Sequence, residues 1–219
     1  LAGSDLARLC TALTLKLLMQ GSYAADSVIG EVIRLKHEVV ENSLEMVQLL
    51  NACGNRDLPG LGLTLCLRDK SALPDAKKLA REYKSHILRE IGILREQSRM
   101  MKSIRYLKME NMEAGAIVSG LGIRYLYTDR PLVTLNHKDD MVKISARGTR
   151  PLISEGLDLS VALRKAAQAV GGEGGGHTIA SGASIPPGSE DRFLALLDEI
   201  VGEQLHKDAK DTPAVEDAP

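Results

Sequence analysis

Two stretches of this chain combine residue types that bind phosphate. The first is Gly171-Gly172-Glu173-Gly174-Gly175-Gly176-His177, five glycines in six positions followed by a histidine, running on into Thr178-Ile179-Ala180-Ser181-Gly182-Ala183. A glycine inside a regular element costs about 0.5–1 kcal/mol relative to alanine, so this density asks for a reason beyond stability. Successive bare amide N–H groups can form an anion-binding nest, to which a histidine adds a hydrogen bond or a positive charge. A tight helix-to-strand turn with a surface histidine accounts for the same glycines, because glycine is a leading turn residue, and glycine content alone leaves both readings open. The second stretch is Ser145-Ala146-Arg147. Two apart at a strand end, its serine and arginine share one face, and a guanidinium offers bidentate hydrogen bonding to phosphate.

Two familiar phosphate motifs are excluded. A P-loop needs lysine then serine or threonine after its glycines, and here His177-Thr178 stands in that place. A dinucleotide fingerprint lies between a strand and the following helix, whereas these glycines follow a helical pattern and precede a strand.

The elements that position these residues follow from periodicity. Leu6, Leu9, Leu13 and Leu17, then Val28, Val32, Leu35 and Val39, recur at helical steps and predict helices. A helix from Ser43 to Leu50 is predicted to start at Asn42 or Ser43 and to bury Met46, Val47 and Leu50. The breaker-rich stretch 51–60 separates it from the short apolar run 61–67. Pro74 opens a long helix whose period holds through Leu79, Tyr83, Ile87, Ile91 and Leu94 toward Met101 and Ile104. Between Lys70 and Lys108 stand eleven basic residues and far fewer acids, which reads either as a solvated helix face or as a surface that follows a phosphate backbone.

Beyond Gly115 the texture turns to strands: 116–118, 124–127, 132–135 and 141–145, with Asn136-His137-Lys138-Asp139-Asp140 as a hairpin turn between the last two. Asp158 is the expected cap of a helix over 159–170, a strand is expected over 178–185, and Ser189 is the expected cap of a last helix to about Leu205. The fold class is therefore α/β (α+β): a helical connector over 1–114 ending in a long helix, a small mixed-sheet domain with flanking helices over 115–205, and a disordered tail over 206–219.

Composition narrows the function classes. With 219 residues, 44% hydrophobic, 26% charged and a formal charge of −1, the chain is an ordinary globular one and not a basic nucleic-acid coat. Aromatics are only 3%, so base stacking contributes little to any nucleic-acid contact. Cys10, Cys53 and Cys66 have no metal-type spacing and fit buried thiols in a reducing cytoplasm. No apolar run of spanning length occurs and the N-terminal apolar segment carries Asp5, Arg8 and Lys16, so a membrane span or signal peptide is not expected. The chain starts at Leu1 and not at methionine, which reads as excision from something longer.

Ser-x-Arg followed by Gly-Gly-Gly-His-x-x-Ala-x-Gly-Ala resembles the C-terminal substrate-binding domain of the DHH phosphoesterase superfamily. Leu50-Asn51-Ala52-Cys53-Gly54, then Gly62 to Leu67 and a long helix bearing Arg81-Glu82-Tyr83, resembles the connector of RecJ-like exonucleases, most closely the archaeal branch with the GINS-associated nuclease and the relatives of a eukaryotic replicative-helicase cofactor. The resemblance covers nearly all of 1–205. It implies that Ser145, Arg147, Gly174, Gly175, Gly176 and His177 hold substrate phosphate. The connector and its basic helix add Asn51, Arg56, Lys84, Arg95 and Arg99 as candidate nucleic-acid backbone contacts. The family's connector has arginine straight after Asn-Ala-x-Gly, whereas here Asn55 takes that place and Arg56 follows.

Family catalysis uses a cluster of aspartates and histidines, Asp-His-His included, to hold two Mn or Mg ions, and this sequence has no such cluster. His137-Lys138-Asp139-Asp140 reads as a solvated turn; His37 and His86 read as structural or surface residues. No catalytic residue, metal site or cofactor is therefore expected within the chain, and the two ions belong to a DHH half outside it. Three functions follow as expectations: a module binding single-stranded DNA or RNA; the C-terminal half of a metal-dependent exonuclease or phosphoesterase; or a docking piece of an archaeal replication complex with GINS and the replicative helicase.

Overall fold

The computed structural model describes residues 3–110, 115–138 and 140–207. They divide into two compact units, one of Asp26–Glu90 and one of Leu1–Ala25 with Ile91–Pro219.

In the smaller unit, α2 (Ser43–Asn55) is capped by Asn42, whose Oδ1 accepts from Leu44 N at 2.8 Å and Glu45 N at 3.3 Å. Leu49, Ala52 and Cys53 form its buried stripe, so the expected inward Val47 is in fact exposed. Proline at the first turn starts α3 (Pro59–Cys66), which packs closely on α2: a Cβ on Gly62 would lie 3.3 Å from Cys53 Cβ. Burial pushes the Cys53 thiol up, whereas Cys66, expected to be buried, is exposed. Val39, Val40, Leu49, Leu65, Ala72 and Ala76 make the core. The helix expected over 28–39 does not form. His37 takes a left-handed φ of 68°, Leu35 N donates to Glu41 O and Ser43 N to Ile33 O, folding the chain back as an isolated antiparallel bridge between Arg34 and Asn42.

The long helix is α4 (Leu73–Gln97), and from Ile91 it belongs to the larger unit. It stops well before Met101 and Ile104, because the chain reverses there into strands that the sequence did not suggest. These are β1 (Arg99–Met100) and β2 (Arg105–Glu110). Asp198 Oδ1 accepts from Ser103 N at 2.7 Å and Ile104 N at 3.0 Å and fixes that reversal.

The larger unit also holds α1 (Gly3–Met19), α5 (Gly115–Tyr125), β3 (Leu132–Lys138), β4 (Met141–Arg147), α6 (Arg150–Ser154), α7 (Leu159–Gln168), β5 (Glu173–His177), β6 (Ala180–Ile185) and α8 (Glu190–Lys207). The sheet order is β1-β2-β3-β4-β6-β5. Pairing is antiparallel except between β2 and β3, which run parallel. A parallel pair needs a crossover, and α5 supplies it. The strands expected at 116–118 and 124–127 are thus this helix and the turn after it, with Val118, Ser119, Gly122 and Ile123 on its buried side at helical spacing.

Several boundaries differ from the sequence reading: pairing extends β3 and β5 into an expected turn and loop, whereas the strand expected from 178 starts two residues later. β3 runs through His137 to Lys138, Asp139 lies outside the described residues, and β6 starts at Ala180 after a turn at Thr178-Ile179. Residues 206 and 207 end α8 and so are not tail; 208–219 lie outside the described residues. Ser189 stands at the start of α8 as expected, but its hydroxyl donates to Pro186 O, and Glu190 Oε1 accepts from Gly188 N.

One face of the sheet carries the core. Val142, Ile144 and Ala146 of β4 and Ala183 and Ile185 of β6 pack with Leu159, Leu163 and Ala166 of α7 and Phe193, Leu197 and Val201 of α8. On the other face α5 lies over β3 and β4. Gly122 permits that approach, since a Cβ there would fall 2.5 Å from Leu132 Cδ2 and 2.6 Å from Leu94 Cδ2.

Candidate phosphate-binding site

The glycine stretch is a strand, not a loop, and most of its glycines answer to packing. Gly171 needs a φ of +78° and Gly176 one of +140°, a region that side chains rarely tolerate. A Cβ on Gly172 would meet Ile185 Cγ2 at 2.8 Å, and one on Gly174 would meet Leu163 O of α7 at 2.7 Å. Gly174 thus lets helix α7 lie against β5, and Gly172 lets the chain pass close to β6. Gly175 differs: the nearest atom to a Cβ placed there is Arg164 Nη2, at 4.0 Å.

Strand alternation explains that exception. Gly174 pairs with Ala183 and Gly176 with Ser181, all on the core face, so Glu173, Gly175 and His177 lie on the opposite one. The register then builds three rows across β4, β6 and β5: Lys143, Ser184, Glu173; Ser145, Gly182, Gly175; Arg147, Ala180, His177. The middle row has only one side chain larger than hydrogen. It forms a bare backbone floor between a row with Lys143 and a row with Arg147 and His177.

Each polar group here is held. Arg147 is half-buried, its Nη1 donates to Ala146 O at 2.9 Å, and burial alone pushes its guanidinium below the usual arginine range. Among the described residues no carboxylate pairs with it, so an anion would relieve that desolvation. Ser145 Oγ lies 3.4 Å from Ser119 Oγ on α5, and Thr134 Oγ1 donates to Ser145 O at 3.3 Å, which closes the β4 end of the floor. Lys143 Nζ donates to Ser184 Oγ at 2.8 Å. His177 is exposed, and its carbonyl accepts from Ser181 Oγ at 2.7 Å. The hairpin turn is tied down at both carbonyls, Ile179 O by Gly148 N at 2.9 Å and Thr178 O by Leu159 N at 3.0 Å. Arg147 and His177 are therefore fixed at the same end of the sheet.

The structure brings the Ser-x-Arg and Gly-Gly-Gly-His elements onto β4 and β5 of one sheet, the glycines in a strand where a loop was expected. Ser145, Arg147, Gly175 and His177 share the open face, whereas Gly174 and Gly176 support it from behind. Lys143 and Ser184 were missed; Lys143 was legible, since it stands two residues before Ser145 in the same alternation. Of the candidate backbone contacts, Arg99 lies on β1, the opposite edge of the sheet from β5, and Arg95 is exposed near the end of α4. Asn51, Arg56 and Lys84 belong to the smaller unit, where Arg56 stacks 5.6 Å from the Tyr83 ring centroid and Asn51 O accepts from Asn55 Nδ2.

The described residues do not fit a two-metal centre. Among them no cluster of three or more histidine, cysteine, aspartate or glutamate side chains is placed to hold a metal ion. His137 Nε2 lies 3.3 Å from Glu190 Oε1, and His86 Nε2 2.9 Å from Glu90 Oε1. Nor, among the described residues, is any helix long and apolar enough to cross a membrane.

Comparison with known proteins bears on the fold and the family. Residues 103–203 match the model of the DHHA1 domain. An uncharacterized protein of Methanocaldococcus jannaschii is 34% identical over 176 residues, 79% of this chain, and the chain spans 38% of that relative's length. RecJ from Thermus thermophilus in complex with Mg2+ is similar in fold, with a TM-score of 0.60 and 18% identity over 90% of this chain and 30% of that one. CDC45 from Entamoeba histolytica has a TM-score of 0.54 and 8% identity over 74% of this chain and 38% of that one.

Proposed function

We propose, from the premise that this chain carries the DHH-associated DHHA1 domain of a RecJ-like protein, that it holds the phosphate backbone of single-stranded DNA or RNA on the open face of β4, β6 and β5. One observation carries the reading: the half-buried guanidinium of Arg147, with no carboxylate partner among the described residues, beside a floor of Ser145, Gly182 and Gly175 that leaves the backbone bare. A phosphate seated there receives the Arg147 N–H groups and the Ser145 hydroxyl, with His177 at the hairpin end to donate another hydrogen bond or, when protonated, a charge. Lys143 adds a point charge along the neighbouring row.

In this reading the chain binds and orients the strand and does not cut it. Hydrolysis would fall to a DHH half carrying two Mn or Mg ions, which activate the attacking water; Arg147 and the glycine floor would hold the strand still for that attack. A cytoplasmic setting fits this role.

The test is an anisotropy titration with single-stranded oligonucleotides at several salt concentrations, repeated with Arg147→Ala and His177→Ala. Both substitutions should weaken binding, Arg147→Ala the more. Binding unchanged by both would sink the reading, and manganese-dependent nuclease activity from this chain alone would overturn the assignment of catalysis to another part.

A second reading has its own observation. Leu6, Leu9 and Leu13 of α1 are 51%, 46% and 44% exposed, an apolar ridge of the kind that marks an interaction surface. It supports a docking role in a replication complex with GINS and the replicative helicase. A pull-down with GINS subunits that fails at low salt would remove it.

A further inference from the structure

The cation nearest the bare Gly175 floor comes from the other side of the sheet. Arg164 lies on α7, which packs against β5 on the core face: Leu163 O stands where a Cβ of Gly174 would go. Yet Arg164 Nη2 is 4.0 Å from the point a Gly175 Cβ would occupy, and alternation puts that point on the open face. β5 is the last strand of the sheet, so no further strand blocks the way, and a long arginine stem passes round the edge with its charged head in water. Arg164 is exposed, and among the described residues it makes no salt bridge, although the Asp158 carboxylate at the start of α7 is near enough to feel its charge. An alanine methyl at position 175 would sit in ordinary contact with the guanidinium, and a longer side chain would compete with it for the same space.

We propose that Arg164 is a second phosphate-binding cation of this site, so that the glycine floor takes two successive phosphates of a strand crossing β4, β6 and β5. This rests on the phosphate-binding reading of the floor. Arg147 is anchored at the β4 end by its bond to Ala146 O, and β4 and β5 are two strand spacings apart, about 10 Å. In this proposal Arg147 at the β4 end and Arg164 at the β5 edge serve neighbouring phosphates and not one. The middle row between them is hydrogen-sized at Gly182 and Gly175, which is what a sugar-phosphate chain passing close to the backbone requires. Glu173 borders the floor on the Lys143 side and repels phosphate there, which turns the strand toward the His177 end.

The experiment is the slope of log binding constant against log salt for a labelled oligo-dT, measured on the 219-residue chain, on Arg147→Ala, on Arg164→Ala and on the double variant. Each arginine that neutralises a phosphate of a single strand contributes about 0.7 to that slope. The expected result is a loss of about 0.7 for each single variant and about 1.4 for the double, with Arg164→Lys close to the unsubstituted chain. If Arg147→Ala lowers affinity and slope while Arg164→Ala changes neither, the two-phosphate site is wrong and the reading beneath it stands. If neither changes affinity, the reading itself fails. Thermal melts accompany each variant, and if Arg164→Ala melts early, Arg164→Gln replaces it and is scored by the same slope.

Discussion

The two faces of the β4-β6-β5 corner are built from the same alternating residues and answer to opposite demands. Behind the sheet, Ala146, Ile144 and Gly174 pack against helices, and Gly176 is held by its positive φ and by Ala180 and Ser181 of the neighbouring strand. In front, Ser145, Gly182 and Gly175 are small although nothing in the described structure presses on Gly175 except the tip of Arg164. Smallness behind is explained by packing; in front, a Cβ on Gly182 would lie 3.2 Å from Ile144 O and Ser145 Oγ meets Ser119 Oγ, so only at Gly175 does packing give no reason. On the proposed phosphate-binding reading, adjacent residues of one strand, Gly174 and Gly175, therefore separate fold from function.

The sharpest break of that contrast should come from behind. Phe193→Ala empties a fully buried site in the core cluster and should cost about 3–5 kcal/mol in chemical denaturation, with any loss of oligonucleotide binding following only from unfolding. Gly174→Val drives a side chain into Leu163 O and should destabilise by about 1–3 kcal/mol, moving α7 off β5. Arg147→Ala on the front should do the reverse: roughly tenfold weaker binding, about 1.4 kcal/mol, with little change in the melting midpoint. Gly175→Ala, front-facing and without a positive φ, should alter stability by less than about 0.5 kcal/mol while weakening binding; unchanged binding would show that the front needs no bare floor.

A smaller effect tests the support beneath both faces. Asp158 caps α7 through Ser160 N and Val161 N, and its carboxyl is held below the usual range, chiefly by the Ser160 side chain. Asp158→Ala should cost about 1 kcal/mol at neutral pH. Because the native value lies below the unfolded one, this contribution is full above about pH 3.9 and is lost as pH falls through the native value, so the two proteins should converge in stability in strong acid.

What could be read from the sequence was whatever local chemistry decides. Asp158 followed by a helical period, the alternation of 132–135 and 141–145, and Pro74 in the first turn of α4 all stand in the structure because each is settled within a few residues, whereas Pro59, read as part of a turn, opens α3. The Ser-x-Arg and Gly-Gly-Gly-His elements were legible as a pair for the same reason. What failed depended on distant partners. The strand β5 looked like a loop because five glycines have no strand propensity of their own; β6 and α7 impose it. The β-branched and aromatic residues at 116–118 and 124–127 looked like strands, but the parallel pairing of β2 with β3 needs a crossover, and β2 itself was hidden as a continuation of α4. The valine series at 28–39 kept helical spacing by coincidence, which the left-handed His37 breaks.

The hairpin turn between β5 and β6 has one more consequence. Its two carbonyls are bonded to Gly148, next to Arg147, and to Leu159, the first residue of α7, so the turn cannot swing away without releasing the start of that helix and the end of β4 together. Binding at this face then finds its donors already in position and spends little of its free energy on ordering them. Amide exchange at Gly148 and Leu159 should accordingly open in step, as one cooperative unit, and slow in step when a strand is bound.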